Sequence, residues 1–499
     1  MHFLTQKSRL QLLARNDVKQ SLALLVGAIL IALLTWIIAE LIGEIPALFS
    51  VLSLIFVVVV MCNYKYGVVL AVILLPLSST PLIPRALFGV TGFNPLNVTL
   101  LLSAASLLLA WLINPRKFSI PKWPRHFWVY LAILALAALH GASQISSIPA
   151  YFKILQIIEF DSAGGYLRDT FLKPPVVIFA TAFMFSIVVR NARLPHAYLI
   201  PLFCSGIVLP IVVIAYVASS GESLMALASS HARGFLSVMG MHANELGLMF
   251  NMVFALALFC FFSASNSLEK WMLGATTVIV MAAVALTFSR GAYLGLFSVV
   301  AYFLFTQRRF RAMLVVLLLV TLAALFMPDA VVERASMGLG NGNVEDVSAG
   351  RVDEIWRPLI PEILSNPLIG HGLGSILWSE SAQHRAILPV GHPHSAYLGV
   401  LLDFGVLGAI VIFVFFRHMW RLFIDLAKRM PDPIWRAYFR GAAACILLLL
   451  VQGVTDDSFT PTRTQPFLWL SYGIATGFLV GTKTAKSDQA KQRMAHYFL

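Results

Sequence analysis

The sequence predicts an all-α, polytopic integral membrane protein with about 14 transmembrane helices and a long, partly helical loop outside the membrane. The composition carries this prediction, because 59% of the 499 residues are hydrophobic and only 12% are charged. A soluble domain is about half apolar and about a quarter charged. The mean hydropathy of +0.83 points the same way. An ordinary soluble enzyme and a disordered chain are therefore both excluded.

Fourteen apolar runs reach or approach the roughly 20 residues that a helix needs to cross a bilayer. They lie at 21–43, 45–62, 67–83, 95–114, 127–142, 174–189, 195–218, 240–262, 271–288, 291–306, 312–327, 394–416, 437–455 and 465–482. Because these runs follow one another along the whole chain, we expect residues 1–499 to form a single transmembrane domain. The four cysteines all lie within the runs and are read as small apolar residues, so neither disulfides nor a cysteine metal site is predicted.

The net charge of +13 is distributed unevenly along the chain. If the N-terminus is cytoplasmic, the cytoplasmic loops and tails hold 25 of the 36 Lys and Arg residues and only 5 of the 23 acidic residues. Cytoplasmic loops of membrane proteins carry such an excess of Lys and Arg. We therefore predict that both termini are cytoplasmic and that 483–499 is a basic cytoplasmic tail. The positive charge indicates topology, not a nucleic-acid partner.

Two segments on the opposite, outer side are long enough to have their own structure. Residues 143–173 carry aromatic and aliphatic side chains among charges, a pattern typical of a helix lying in the membrane interface. Residues 328–392 form a long loop, and loops of that length are usually functional or disordered. The apolar periodicity from Ile355 to Leu364 predicts a helix within this loop.

Three arginines, Arg233, Arg290 and Arg351, fall at or near the outer ends of spans. Outer-side cations suit an anionic ligand such as a lipid-linked phosphate, and the planar fork of Arg binds phosphate oxygens in pairs. Arg290 stands between two spans with almost no loop, and an Arg at membrane depth usually needs a partner or a water-filled cavity. The alternative for these arginines is snorkelling of the side chain to the lipid headgroups.

His394 stands at the start of the twelfth apolar run, directly after Pro393. Because Pro favours the first position of a helix, His394 is predicted to lie in the first helical turn. The positive end of the helix dipole disfavours the charged imidazolium there, and a neutral His can act as a general base. Two alternatives stay open: His392 and His394 bind a metal, although no carboxylate or Cys nearby completes a ligand set, or either His caps the interface.

Two carboxylates, Glu245 and Asp403, fall within predicted spans. Intramembrane carboxylates are candidates for function. For Asp403, nine residues past His394, a buried hydrogen bond between helices is an equal alternative. Both are considered possible supporting residues of a site.

Several motifs together resemble the O-antigen ligase and polymerase superfamily. The first is His394-Ser395-Ala396-Tyr397-Leu398 followed after six residues by Gly405, which resembles the family's His motif. The stretch Asn366-Pro367-Leu368-Ile369-Gly370-His371-Gly372-Leu373-Gly374-Ser375 resembles the segment that usually precedes it. The remaining motifs occur in the expected order: Arg233-Gly234-Phe235 with Asn244, Ser289-Arg290-Gly291-Ala292, and Gly350-Arg351 with Trp356.

The resemblance implies a glycosyltransferase in the bacterial inner membrane, with the outer side of the chain facing the periplasm. Its donor would be an undecaprenyl-diphosphate-linked glycan, and its acceptor a lipid A–core sugar for a ligase or another lipid-linked repeat for a polymerase. Arg233 and Arg290 would bind the diphosphate, and His394 would activate the acceptor hydroxyl without a metal or cofactor.

Ser395 would support His394, and Arg351, His392 and Asn244 are further candidates for substrate binding. Membrane lipids are the other expected partner. A lipid-glycan flippase or anion transporter is the competing interpretation, since many spans suit one. Transporters, however, often show repeated halves and central ionisable sites, whereas the candidate functional residues here lie at the predicted outer ends of the spans. A structural subunit of a secretion complex is a third hypothesis.

Overall fold

The computed structural model describes residues 44–84, 86–87, 90–115, 118–192, 194–228, 234–307, 314, 318, 329–336, 348, 350–455 and 458–479. The regular structure of these residues is helical, apart from one hairpin whose antiparallel strands are two residues long. The predicted all-α, polytopic fold is therefore confirmed.

The first half of the chain contains α1 (Glu44–Cys62), α2 (Tyr64–Leu74), β1 (Ala86–Leu87), β2 (Val90–Thr91), α3 (Pro95–Ile113), α4 (Arg125–Ala142), α5 (Tyr151–Ile154), α6 (Ala163–Tyr166), α7 (Val177–Arg190), α8 (Leu199–Ser219) and α9 (Leu224–Ala228). Short 3₁₀ turns lie at Ile145–Ser147, Pro195–Tyr198 and Phe235–Met239. A π-helical segment, Leu167–Val176, joins α6 to α7.

The second half contains α10 (Ala243–Phe261), α11 (Ser267–Ala285), α12 (Arg290–Gln307), α13 (Asp329–Ser336), α14 (Arg357–Ser365), α15 (Glu380–Gln383), α16 (Ala396–Arg429), α17 (Pro433–Gln452) and α18 (Pro466–Phe478). A π-helical segment, Val352–Trp356, precedes α14, and a 3₁₀ turn spans Ser375–Trp378. Together, Val352–Trp356 and α14 confirm the helix predicted within the long loop.

Among the described residues, eight helical segments are long and apolar enough to cross a membrane, or up to nine if the bent pair formed by α1 and α2 is one span. The shorter α12 is also apolar. The predicted span 21–43 lies outside the described residues, and 312–327 lies almost wholly outside them. The total of about 14 spans therefore stays a prediction.

The chain divides into two compact units. Among the described residues, the smaller unit holds α1, the start of α2 and the C-terminal part of α3. Within it, the Ser106 hydroxyl donates a hydrogen bond of 3.1 Å to the carbonyl of Met61. The larger unit holds the other helices and every site residue discussed below.

α10 is the core of the larger unit and is buried along most of its length. It packs against α11, α12 and α17. A helix that is apolar on all sides is stable where neighbours surround it, and the sequence of α10 beyond its first turn contains only one strongly polar residue, Asn251. The Asn251 side chain donates a hydrogen bond of 2.8 Å to the carbonyl of Ala292 in α12. This arrangement fixes the start of α12 against α10.

The segment 143–173 packs against the long loop 328–392. The expectation of an interfacial helix over 143–173 is wrong in its extent, because the chain there forms short pieces: a 3₁₀ turn at Ile145–Ser147, the four-residue α5, and α6 with the π-helical segment that follows it. The reason is that Phe152, Ile158 and Phe160 are buried in one cluster with Ile355 and Leu359 of the long loop. Tertiary packing therefore covers these three apolar side chains, whereas Ile154 and Leu155 of the same segment stay exposed.

Candidate active site

The His motif forms a tight turn immediately before α16. The helix begins at Ala396 with Ser395 as its N-cap residue, so the prediction that His394 lies in the first helical turn is wrong. The N–H of Ala396 donates a hydrogen bond of 2.8 Å to the carbonyl of Gly453. This bond satisfies the N–H of the first helical residue, and the left-handed backbone of His394 keeps His394 itself outside the helix. Ser395 is buried, which fits a supporting position beside the turn.

His394 has a left-handed backbone, with φ of 51°. Non-glycine residues adopt this conformation rarely and at a cost, and they concentrate at functional sites. The N–H of His394 donates to Nδ1 of His392 at 3.3 Å, and the two rings lie 4.2 Å apart. The indole N–H of Trp356 donates to the carbonyl of Pro393 at 2.8 Å. The turn is thus held from within and from the long loop.

The second predicted motif lies at the start of α12. Ser289 precedes the helix, and its hydroxyl accepts a hydrogen bond of 3.1 Å from the N–H of Ala292. This is the geometry of an N-cap. The same hydroxyl donates to Oδ1 of Asn244 at 2.5 Å. Arg290 is the first residue of α12 and is half-buried. The structure therefore brings Asn244 and Arg290 to one place, as the order of the motifs suggested.

Residues 452–455, at the C-terminal end of α17, connect these motifs. The Gln452 side chain donates to the carbonyl of Asn244 at 3.1 Å. Arg351 donates to the carbonyl of Thr455, and the hydroxyl of Thr455 lies 2.9 Å from the position that a side chain on Gly291 would occupy. Together with the Ala396–Gly453 bond, these contacts gather Asn244, Arg290, Arg351 and the His394 turn around one helix end.

This helix end is not among the site residues predicted from the sequence, in which 437–455 is a plain apolar span. The run nevertheless ends in polar and small residues, Gln452, Gly453 and Thr455. A Gln followed by Gly at the end of an apolar run is a signal that could have indicated it. We call residues 452–455 the hub.

Asp403 lies on the first part of α16 and binds the long loop. Its Oδ1 accepts hydrogen bonds from the N–H of Ser375 at 3.0 Å and from the Ser375 hydroxyl at 2.7 Å. Its carbonyl accepts from the N–H of Gly372 at 3.0 Å. These contacts match the alternative that the sequence left open, a buried hydrogen bond that ties two elements together.

The final residue of the His motif, Gly405, breaks α16. Its φ is 61°, and a side chain here would lie 2.4 Å from the backbone of Leu368. Past the break, the N–H groups of Val406 and Leu407 donate to the carbonyls of Pro367 and Leu368. The loop thus supplies acceptors that the interrupted helix lacks. From the loop side, Gly370 lies against the backbone of α16 near Gly405; its φ is 69°, and there is no room for a side chain.

Glu245 caps a helix. As predicted, it lies in a helix long and apolar enough to cross a membrane, and because α10 begins at Ala243 it belongs to the first turn of that helix. Its Oε2 accepts a hydrogen bond of 2.7 Å from the N–H of His242. Its Oε1 lies 3.8 Å from a guanidinium nitrogen of Arg463. A carboxylate at a helix N-terminus is stabilised by the helix dipole, which accounts for this residue without a catalytic role.

Arg233, predicted to bind substrate beside Arg290, lies outside the described residues. Among the residues that the structure does describe, no three His, Cys, Asp or Glu side chains are grouped so that they could hold a metal ion. His392 and His394 are adjacent, but this part of the chain supplies no third ligand for the metal alternative.

The fold and the site define a polytopic membrane protein with a turn containing His394 and two arginines, Arg290 and Arg351, gathered at one end of its helices. Residues 275–413 match the family model described as O-antigen ligase. This match supports placement in the O-antigen ligase superfamily and confirms the resemblance that the motifs showed. No curated protein matches the chain.

The matched residues run from within α11 to the middle of α16. They include Arg290, Arg351 and His394, whereas Asn244 and the hub lie outside them. The family consists of membrane enzymes that transfer glycans as ligases or polymerases, with lipid-linked glycan and acceptor substrates. The match therefore favours a glycan-transferring enzyme over the transporter and the secretion subunit.

Proposed function

We propose that the protein transfers a glycan from an undecaprenyl-diphosphate carrier to a sugar hydroxyl of an acceptor at the periplasmic face of the bacterial inner membrane. The observation that carries the proposal is the convergence of Arg290, Arg351 and the His394 turn on the hub. These groups supply cations for a diphosphate and a base for a hydroxyl in one place.

In the proposed reaction, a ring nitrogen of His394 accepts the proton of the acceptor hydroxyl. The acceptor oxygen forms a bond to the anomeric carbon of the donor, and the bond from that carbon to the phosphate oxygen breaks. The electron pair leaves on the lipid diphosphate, where negative charge develops. Arg290, with Arg233, stabilises this charge, because preorganised cations in a site shielded from water act strongly on a developing anion. No step requires a metal or a cofactor.

The other candidates support these groups. Ser395 and His392 shape the His394 turn, and Asn244 holds Ser289 directly before Arg290. Arg351 would bind substrate beside Thr455, whose carbonyl accepts a hydrogen bond from it. Glu245 and Asp403 maintain the surrounding backbone.

The ends of the helices support the proposed orientation. The site gathers the N-terminal ends of α10, α12 and α16 and the C-terminal end of α17. The basic cluster from Arg417 to Arg440 lies instead at the α16–α17 connection, at the other end of both helices. Because Lys and Arg concentrate on the cytoplasmic side, the site would face the periplasm, with both termini in the cytoplasm.

A deletion strain tests the function and separates the two enzyme types. For a ligase, long glycan chains disappear from lipid A–core while lipid-linked polymer accumulates. For a polymerase, which is the alternative within the same family, single lipid-linked repeats accumulate. An unchanged glycan profile in the deletion strain contradicts the proposal.

A further inference from the structure

A cleft of about 730 Å³ lies between α5 and the chain that follows α15. Its walls include Tyr151, Leu155, Glu354, Arg385 and Leu388, and we call it the loop cleft. Sites for small organic ligands have volumes of roughly 300–1,000 Å³. None of these five residues has a role in the transfer step proposed above.

Contacts between the two outer segments fix the walls of the loop cleft. The Tyr151 hydroxyl donates to the carbonyl of Ala382 at 2.8 Å, and the Arg385 guanidinium lies 5.3 Å from the centre of the Tyr151 ring. Burial raises the pKa of the Tyr151 hydroxyl, and the positive charge of Arg385 opposes this, so the phenol stays neutral at physiological pH. On the other side, the N–H of Leu388 donates to the carbonyl of Glu354.

The lining combines charged and apolar groups that face the same space. Arg385 offers guanidinium donors and Glu354 offers a carboxylate acceptor, whereas the neighbouring Asp353 is ion-paired with Arg357. Leu155 and Leu388 expose 54% and 44% of their surface, so they present apolar area at the same opening. A sugar ring matches this lining, because it carries hydroxyl donors and acceptors at its rim and C–H groups on its faces. A phosphate group would instead meet the negative charge of Glu354.

The loop cleft is close in the fold to the proposed transfer site. Glu354 lies in the segment Val352–Trp356, which directly follows Arg351. The indole of Trp356, in the same segment, holds the carbonyl of Pro393 within the His394 turn. A glycan chain bound in the cleft would therefore have one end near the transferring residues.

We propose that the loop cleft is a subsite for phosphate-free sugar units of a glycan substrate. This inference rests on the proposed function, since it assigns sugars of that reaction to a second place on the protein. The bound glycan belongs either to the donor or to the acceptor, and the two share the same hydroxyl chemistry.

The test measures binding to the purified full-length protein in nanodiscs by saturation-transfer NMR. Two soluble probes represent the two sources: the donor glycan hydrolysed from its lipid diphosphate, and core oligosaccharide released from lipopolysaccharide by mild acid. Arg385→Ala and Glu354→Gln should each weaken binding of one probe by about tenfold, the effect of losing a hydrogen bond to a charged group. The probe affected identifies the source, and inorganic pyrophosphate should not compete.

Arg429→Ala is the matched control, because it removes an exposed Arg whose partner, Asp425, lies at the far end of α16. It should bind both probes as the wild type does. The proposal is overturned if Arg385→Ala and Glu354→Gln bind as wild type, if neither probe binds the wild type, or if pyrophosphate displaces the sugar.

A His394→Ala variant separates this inference from the proposed function. It should lose transfer and keep binding of the affected probe within about twofold of the wild type. Retained transfer in His394→Ala, together with lost binding in Arg385→Ala, contradicts the proposed function and leaves the subsite in place. Lost transfer in His394→Ala with unchanged binding in Arg385→Ala contradicts only the subsite.

Discussion

The N–H of Ala396, two residues after His394, is hydrogen-bonded to the carbonyl of Gly453 at 2.8 Å. This bond joins the start of α16 to the end of α17, and Gln452 and Thr455 extend the same helix end to Asn244 and Arg351. The position of the proposed base is therefore set by residues far away in the sequence.

Replacing Gly405 tests the helix break. Gly405→Ala forces a side chain into a left-handed backbone and against Leu368. The strain alone costs about 1–3 kcal/mol, so the thermal unfolding temperature should fall and transfer should be lost. Two variants serve as controls. Gly221→Ala has a similar φ of 71° but open space around it, so it shows the effect of the backbone strain alone; Gly164→Ala has open space and no left-handed backbone, so it should change little. A melting temperature for Gly405→Ala no lower than that for Gly221→Ala would contradict the loop contact.

Replacing Asp403 tests whether its carboxylate is structural or transfers protons. Asp403→Asn keeps an oxygen that accepts from the N–H and hydroxyl of Ser375, so it should retain about half or more of the wild-type transfer rate. Asp403→Leu removes the acceptor and leaves the buried Ser375 donors without it, at a cost of about 1–3 kcal/mol each. Transfer rates and unfolding temperatures of both variants are measured together. A normally folded but inactive Asp403→Asn variant would show that the carboxylate itself takes part in the chemistry.

Arg290 is expected to need its guanidinium. Arg290→Lys keeps the charge and loses the planar fork that binds phosphate oxygens in pairs, so the initial rate of transfer should fall by about tenfold or more. Arg429→Lys, on the exposed far end of α16, serves as the control and should be unchanged. Full activity of Arg290→Lys would rule out paired recognition of the diphosphate.

Cysteine labelling tests the orientation. The exposed Cys62 and Cys204 are first replaced by Ser, whereas Cys260 and Cys445 are buried. In that background, Gln383→Cys in α15 should react with a membrane-impermeant thiol reagent in cells with a permeabilised outer membrane. Lys428→Cys, near the end of α16, should react only after the inner membrane is opened. The reverse pattern would place the site in the cytoplasm.

The sequence was sufficient for the features that depend on local composition. Apolar runs predicted the helices, and the periodicity from Ile355 to Leu364 predicted a helix in the long loop. The start of α16 was misplaced because His394 has a left-handed backbone, which the preference of Pro393 for a helix start does not reveal. Asn244 and Ser289 were associated by the order of the motifs, yet only the fold shows their hydrogen bond.

The hub shows most clearly which part of the site local sequence patterns do not predict. Its bonds to Asn244 and Arg351 join residues more than a hundred positions apart. Likewise, Gly405 was recognised from its spacing after His394, while the reason for a glycine there is the backbone of Leu368. Such contacts between distant segments are determined by tertiary packing, which the pattern of a single sequence does not reveal.

The most direct test of the account is the transfer rate of His394→Ala, reconstituted in proteoliposomes with lipid-linked glycan and acceptor. Loss of a general base lowers rates by about 10²–10⁴-fold, so we expect transfer to fall by about a hundredfold or more with normal expression and folding. His384→Ala, an exposed His beside Glu380, is the matched control and should transfer at the wild-type rate. A well-folded His394→Ala variant with wild-type transfer would contradict the central claim that His394 activates the acceptor hydroxyl.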